Sequence, residues 1–226
     1  MASESIENYL KAIYKVQEQG EWATTGQVAR RLGISAPSAS RMLKKLSGES
    51  LVDHNPYKGV QLTREGRRLA LRVIRNHRVL EAYFVKALGM SWDRVDAEVE
   101  RIEHVVSDDL VNRMEEALGF PRFDPHGSPI PTRDGTLPEL DGTCSLTELP
   151  VGARAEVCRI ADAPPEALAW LGERGLLPGA ALELVRQEPF RGPLVLRVAA
   201  REVFLGLELA GRIHVVDVSS ATAGPA

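Results

Sequence analysis

The sequence has 226 residues, of which 44% are hydrophobic and 26% are charged, and its formal net charge is −3. These values are ordinary for a globular chain and exclude wholesale disorder, collagen and coiled-coil arrays. Because no apolar run approaches the roughly 20 residues of a spanning helix, and the N-terminus carries acids where a signal peptide is basic, we expect a cytoplasmic protein without a membrane partner.

The first third of the chain predicts three short helices. Apolar residues recur at three- and four-residue steps over residues 6–16, which predicts a helix that ends by Gly20. Thr24 and Gln27 form a capping-box pattern for a second helix. Ser35 can cap a third helix, in which an early proline is tolerated because no intrahelical N–H is lost there.

Two extended segments, residues 51–54 and 60–62, are joined by a turn and predict a β-hairpin after the third helix. Helix, helix, turn, helix and hairpin describe a winged helix-turn-helix, whose third helix enters the major groove of double-stranded DNA. Residues 1–75 hold thirteen Lys and Arg against seven Asp and Glu, which favours an anionic partner. The predicted DNA-binding residues are Ser35, Pro37, Ser38, Arg41, Lys44, Lys45, Tyr57 and Lys58. The alternative is a solvated polar face, which any small amphipathic helix has.

The rest of the chain predicts two long helices, a linker and a small β-domain. Thr63 starts a helix that runs to about Leu88, and an apolar stripe continues from Ser91 to Gly119 as a second long helix. Six of the fourteen prolines fall between residues 119 and 150, which indicates a linker with an ordered start. Short apolar segments then alternate with Gly and Pro around one helical stretch, a spacing that favours a small β-barrel. The predicted fold class is therefore mainly α with small β parts.

Acidic residues and a histidine recur beside the apolar stripe of the second long helix. Stacked carboxylates repel by about a few tenths of a kcal/mol per pair, a penalty that a divalent cation would reverse. The preceding helix adds a His and a Glu one turn apart. Mixed carboxylate and imidazole groups fit Mn²⁺ or Fe²⁺ better than a structural zinc site. These candidate ligands are His77, Glu81, Asp96, Glu100, Glu103 and His104. Taken singly, each is more often a solvated surface residue.

Several segments resemble the DtxR and MntR family of metal-dependent transcriptional regulators. The resemblance runs almost end to end and rests on ENYLKAIY, RVIRNHRVLEAYF, VERIEHVVSDDL and HGSPIP, while LGERGLLPG is similar to the SH3-like, FeoA-type domain of longer members. It implies a homodimeric, metal-activated regulator of manganese or iron homeostasis that binds palindromic operators and catalyses nothing. The implied domains are a winged helix-turn-helix at residues 1–72, a helical metal-binding and dimerisation domain with a proline-rich linker at 73–140, and an SH3-like domain at 141–226.

The resemblance also implies two sets of metal ligands. The primary set is Glu100, Glu103 and His104 together with Asn8 of the first helix, beside which Glu7 gains importance because Asn8 offers only a neutral oxygen. The second set is His77, Glu81 and Asp96. Lys11 stands where two-domain manganese-type members have a Glu ligand, so their binuclear arrangement cannot be copied intact.

Two other functional classes remain open from the residues alone. Carboxylate and imidazole ligands can hold an activated water, so a metal-dependent hydrolase is an alternative. A metal buffer or a pure interaction protein is another. The basic winged head argues against the hydrolase.

Overall fold

A computed structural model describes residues 3–18 and 20–218 of the chain. The helices are α1 (Glu4–Gln17), α2 (Thr25–Arg31), α3 (Ala36–Gly48), α4 (Arg64–Leu88), α5 (Val95–Glu100), α6 (Asp108–Ala117), α7 (Pro165–Glu173) and α8 (Leu207–Ala210). The strands are β1 (Val52–Asn55), β2 (Gly59–Leu62), β3 (Thr143–Ser145), β4 (Arg154–Ile160), β5 (Ala181–Gln187), β6 (Leu194–Val198), β7 (Arg201–Leu205) and β8 (Ile213–Asp217). The predicted class, mainly α with small β parts, is confirmed. Over these same residues, none of the helices combines the length and the apolar character needed to cross a membrane.

The backbone divides into two compact units. The first consists of Met1–His77, Glu100–Val111 and Pro131–Leu137, and the second of Arg78–Val99, Asn112–Ile130 and Pro138–Ala226. Helices α4, α5 and α6 therefore contribute residues to both units.

The first unit contains the predicted helix-turn-helix, and its helices begin where their capping residues stand. The Thr24 hydroxyl accepts a hydrogen bond from the Gln27 backbone N–H, and the Gln27 side-chain oxygen accepts one from the Thr24 backbone N–H. The Ser35 side chain accepts from Ser38 N at 3.4 Å at the start of α3. The core beneath the three helices includes Leu10, Ile13, Val28, Leu43 and Leu46.

The β-hairpin after α3 is confirmed and is held against the segment before α2. Strands β1 and β2 pair antiparallel, and Val60 also exchanges backbone hydrogen bonds with Ala23 at 2.8 and 2.9 Å. Gly59 has a φ of 111°, and a Cβ there would lie 2.3 Å from the Ala23 carbonyl oxygen. Only glycine allows this approach, which fixes the hairpin beside the helices.

The second predicted long helix is wrong as a continuous element. Helix α5 ends at Glu100, residues 101–105 form turns, and α6 begins at Asp108. The Ser107 hydroxyl accepts from Leu110 N at 3.2 Å, and two aspartates occupy the first turn of α6. A capping serine followed by acids stabilises a new helix start, because the N-terminal end of a helix carries positive charge. Glu103 and His104 therefore lie in the turn region and do not share a helical face with Asp96.

The second unit contains a six-stranded antiparallel sheet in the order β3-β8-β4-β5-β6-β7. Helix α7 connects β4 to β5, and its buried Leu168 and Leu171 join the core of the sheet. This sheet confirms the predicted SH3-like domain.

The start of the proline-rich segment packs on strand β4. The Ile160 N–H donates to the His126 carbonyl at 2.9 Å, and Arg159 Nε donates to Ser128 Oγ at 3.2 Å. Gly127, with a φ of 82°, lies so close that a Cβ would be 1.9 Å from the Cys158 carbonyl oxygen. These contacts fix the backbone of residues 126–128.

Candidate metal centres and DNA-binding face

The first candidate centre surrounds His104 in the first unit. Helix α1 provides Glu7 and Asn8, while the turn after α5 provides Glu103 and His104. We call these four residues the first centre. The Glu103 side chain is only 1% exposed, and the other two ionisable side chains are mostly buried. The sequence predicted all four residues.

Both ring nitrogens of His104 face acceptor atoms. Nδ1 lies 2.7 Å from Glu7 Oε2, whereas Nε2 lies 2.9 Å from Asn8 Oδ1 and 3.2 Å from Glu103 Oε1. A carboxylate only accepts, so His104 Nδ1 donates to Glu7, while Nε2 faces the other two oxygens. Imidazole nitrogen, amide oxygen and carboxylate oxygen, with both oxygens within 3.2 Å of Nε2, are donor atoms that fit a divalent cation. In that arrangement Glu7 orients His104 and is not itself a ligand.

Lys11 lies within the same cluster, one turn along α1. Its Nζ is 2.9 and 3.0 Å from the two Glu103 oxygens and 3.1 Å from His77 Nδ1. Burial raises the pKa of Glu103, but the hydrogen bond with His77 and the charge of Lys11 outweigh burial and leave that pKa below its usual value. Glu103 is therefore ionised at neutral pH.

A second candidate centre lies wholly in the second unit and consists of Glu81 of α4 with Asp124 and His126. One ligand atom from each of these buried residues lies within 4.8 Å of the others. His126 Nε2 donates to the Trp92 carbonyl at 2.8 Å, while Nδ1 is 3.5 Å from Glu81 Oε1. A hydrogen bond from one ring nitrogen to a backbone carbonyl is how metal-binding histidines are usually oriented. The donor set therefore fits a divalent cation.

The electrostatics of the second centre favour an extra positive charge. Burial and the charge of Glu81 raise the pKa of Asp124, although Arg78, with its Nε 3.7 Å from Asp124 Oδ2, opposes the rise. Burial lowers the pKa of His126, but the hydrogen bond and charge of Glu81, together with Asp124, raise it to about 9. A proton on His126 therefore offsets part of the carboxylate charge at neutral pH, and a metal ion would take its place.

The remaining predicted ligands are distributed over both units. His77 belongs to the first unit, whereas Glu81 and Asp96 belong to the second. Asp96 is exposed in the first turn of α5, and Glu100 is exposed at the end of α5 with its Oε1 4.0 Å from Lys11 Nζ. Their role as ligands stays a prediction.

Sequence reasoning missed Asp124 and His126 as candidate ligands. The HGSPIP segment indicates only the family resemblance, and its position in a proline-rich stretch predicts a linker. The available signal was an acid two residues before a histidine, between prolines that hold the chain rigid.

The predicted DNA-binding residues lie on α3, at its cap and on the hairpin of the first unit. Arg41, Lys44 and Lys45 are exposed on α3, and Arg41 Nη2 donates to Ser38 Oγ at 3.3 Å. At the hairpin tip Tyr57 is 98% exposed, and Lys58 Nζ lies 5.6 Å from the centre of the Trp22 ring. Of the other predicted residues, Ser35 and Pro37 are exposed and Ser38 is half-buried.

A groove of about 680 Å³ links this face to the first centre within the first unit. Asn8 and Tyr9 of α1 line it together with Arg41 and Lys45 of α3. Side chains of α1 and α3 therefore line the same groove.

Three protein-family models match the chain. Residues 1–60 match the N-terminal DNA binding domain of iron dependent repressors, residues 63–132 match the metal binding and dimerisation domain of the same repressors, and residues 144–217 match the FeoA domain. Together these models account for most of the sequence.

Curated relatives and solved structures match over nearly the full length. The iron-dependent repressor IdeR of Mycobacterium tuberculosis is 30% identical, with 95% of this chain and 98% of the relative covered. The diphtheria toxin repressor of Corynebacterium diphtheriae is 26% identical, with 95% and 98% covered. A manganese-dependent transcriptional repressor in complex with manganese has a TM-score of 0.84 and 38% identity, with 93% of this chain and 99% of that chain covered.

Proposed function

Since the chain belongs to the iron-dependent repressor family, whose members are metal-dependent DNA-binding transcriptional repressors and not enzymes, we propose that it binds double-stranded DNA as a homodimer when Mn²⁺ or Fe²⁺ is bound. The observation that carries this proposal is the convergence of acceptor atoms around His104 in the unit that also bears the cationic face of α3. Family membership also argues against the hydrolase alternative.

The metal donors are oxygen and imidazole nitrogen in both centres. In the first centre we assign Asn8, Glu103 and His104 as ligands and Glu7 as the residue that orients His104. In the second centre we assign Glu81, Asp124 and His126. Hard oxygen ligands with imidazole favour Mn²⁺ and Fe²⁺ over thiophilic ions. The relatives, named as iron- or manganese-dependent, support the same choice.

The first centre controls DNA binding through α1. A divalent cation supplies positive charge between the Asn8 and Glu103 oxygens. Asn8 and Glu103 are then held together, which ties α1 to the turn that carries His104. Because Asn8 also lines the groove beside Arg41, this tie limits the positions that α3 can adopt. Reduced freedom of α3 lowers the cost of seating it in the major groove.

On DNA, the assigned roles follow the chemistry of the exposed side chains. Arg41 reads base edges from α3, where a guanidinium can donate to guanine in the major groove. Lys44 and Lys45 contact phosphates, as does Lys58 from the hairpin, while Ser35, Pro37, Ser38 and Tyr57 form the rest of the contact surface.

The domain bounds of this proposal are residues 1–72 for DNA binding, 73–140 for metal binding and dimerisation, and 141–226 for the SH3-like domain. Support for the dimer comes from the family model named for dimerisation over residues 63–132. In the same region Val105 and Leu110 expose large apolar side chains that a second copy would cover. Two copies of α3 about one DNA turn apart read a palindromic operator.

The test starts from a duplex selected out of a random library by the Mn²⁺-loaded protein. Fluorescence anisotropy on this duplex, at one fixed salt concentration, should show at least tenfold tighter binding with Mn²⁺ than with chelator. His104→Gln should remove this difference. His214→Gln, in strand β8, is the matched control and should keep it. Equal affinity of the wild-type protein with Mn²⁺ and with chelator would refute the proposal.

A further inference from the structure

We propose that the ammonium group of Lys11 is a built-in cation of the first centre, which limits that centre to a single divalent ion. This inference rests on the proposed function, because it specifies how many ions that centre accepts.

The Nζ atom of Lys11 is surrounded by carboxylate and imidazole groups. An ammonium group has three N–H donors and no acceptor. The two Glu103 oxygens accept from it at 2.9 and 3.0 Å, and His77 Nδ1, which donates to Glu103 Oε2, lies 3.1 Å from it. Glu100 Oε1 adds a second carboxylate at 4.0 Å. The ammonium group of Lys11 thus lies among side chains that can also ligate a metal.

The same side chains offer donor atoms for a divalent ion. Two carboxylates and one imidazole nitrogen are typical ligands of Mn²⁺ and Fe²⁺. The side chains of Lys11, His77 and Glu103 are 16%, 11% and 1% exposed, so water screens little of the charge. Without the ammonium group, these acceptors would be a second binding position for a cation.

Glu103 joins the two positions. Its oxygens contact Lys11 on one side, while Oε1 also lies 3.2 Å from His104 Nε2 on the other. One carboxylate therefore serves both a position beside His104, open to a metal ion, and a position beside His77, taken by Lys11. The tethered charge repels a second divalent ion from the His77 side but still leaves Glu103 able to bind an ion beside His104.

The decisive variant is Lys11→Glu, which replaces the cation with a ligand. Mn²⁺ titration followed by electron paramagnetic resonance should show one additional bound ion per chain relative to wild type. Two ions that share Glu103 would lie about 4 Å apart, so the variant should give the signal of a spin-coupled pair. Wild type should give only isolated Mn²⁺. The second centre is identical in both proteins and cancels from the comparison.

Lys15→Glu is the matched control, because Lys15 lies one turn further along α1 and pairs with Glu18 at 3.6 Å. It makes the same charge change outside the cluster and should leave the ion count unchanged. A spin-coupled pair in wild type, or a count for Lys11→Glu no higher than for Lys15→Glu, would overturn the inference.

A neutral substitution covers the case in which Lys11→Glu does not fold. Lys11→Gln removes the charge, so Mn²⁺ affinity at the first centre should rise at least tenfold, and an unchanged or weaker affinity would overturn the inference. His104→Gln in the wild-type background distinguishes a failure of the proposed metal centre from a failure of the role of Lys11. If that variant keeps the full ion count, the proposed metal centre fails; if it loses one ion while wild type shows a coupled pair, only the role of Lys11 fails.

Discussion

Replacing His126 with glutamine should reduce the pH dependence of stability in the metal-free protein. In the folded chain, Glu81 and Asp124 outweigh burial and raise the pKa of His126 from 6.5 to about 9. A folded pKa above the unfolded value means that the bound proton stabilises the native state. Its contribution is complete below pH 6.5 and is lost as the pH rises through about 9.

The size of the effect follows from the same two pKa values. A rise from 6.5 to about 9 corresponds to about 3 kcal/mol of unfolding free energy. Asp124 acts in the same direction, because burial and the charge of Glu81 raise its pKa and make its ionised form costly as the pH increases. Stability should therefore fall on going from pH 6.5 to pH 9.5.

Urea unfolding in chelator at these two pH values measures the difference. Between pH 6.5 and pH 9.5 the unfolding free energy of wild type should fall by about 3 kcal/mol more than that of His126→Gln. His54→Gln, which removes an exposed histidine of the hairpin, is the control and should follow wild type. Parallel losses in wild type and His126→Gln would show that Glu81 and His126 are not coupled as the geometry indicates. With Mn²⁺ present, affinity at the second centre should increase with pH, because the ion and the proton compete for His126.

Two further predictions concern the DNA face and the contact between residues 126–128 and the sheet. Arg41→Ala should reduce the free energy of binding to a selected duplex by about 1–3 kcal/mol and relax base preference. Lys58→Ala should instead weaken binding to all sequences alike and flatten the salt dependence of the affinity. Equal losses of affinity on selected and random DNA for Arg41→Ala would contradict the assignment. Gly127→Ala should destabilise the protein by about 2–4 kcal/mol in thermal unfolding, because its Cβ would overlap the Cys158 carbonyl oxygen at a positive φ. Gly152→Ala is its control, since Gly152 has a φ of 87° but open space around it. An equal loss of stability in both variants would mean that the backbone conformation alone is responsible.

The sequence by itself determined the elements whose signals are local. The capping residues Thr24 and Ser35 and the hairpin around Gly59 all act within a few positions along the chain. The DNA-binding head could therefore be predicted almost to the residue. The first centre could also be predicted, but only as a set of residues, because spacing along the chain shows which side chains can meet and not how they are oriented.

Tertiary structure decided the features that depend on residues distant in sequence. His104 meets Glu7 across 97 positions, and Lys11 meets Glu103 across 92. The contact of Glu7 with His104 and the position of the Lys11 ammonium group beside Glu103 thus follow from packing. The second centre joins Glu81 to His126 in the same way. Its histidine is directed by the Trp92 carbonyl and by the contact of residues 126–128 with β4, and neither contact leaves a periodic pattern in the sequence.

The break between α5 and α6 shows two local signals in competition. Apolar spacing from Val95 to Met114 favours one long helix, while Ser107 and the two aspartates after it favour a new start. The turn that begins at residue 101 places the buried Glu103 beside Lys11 and His77. Pairing with a cation offsets part of the cost of burying a carboxylate, so this long-range contact favours the turn over a continuous helix.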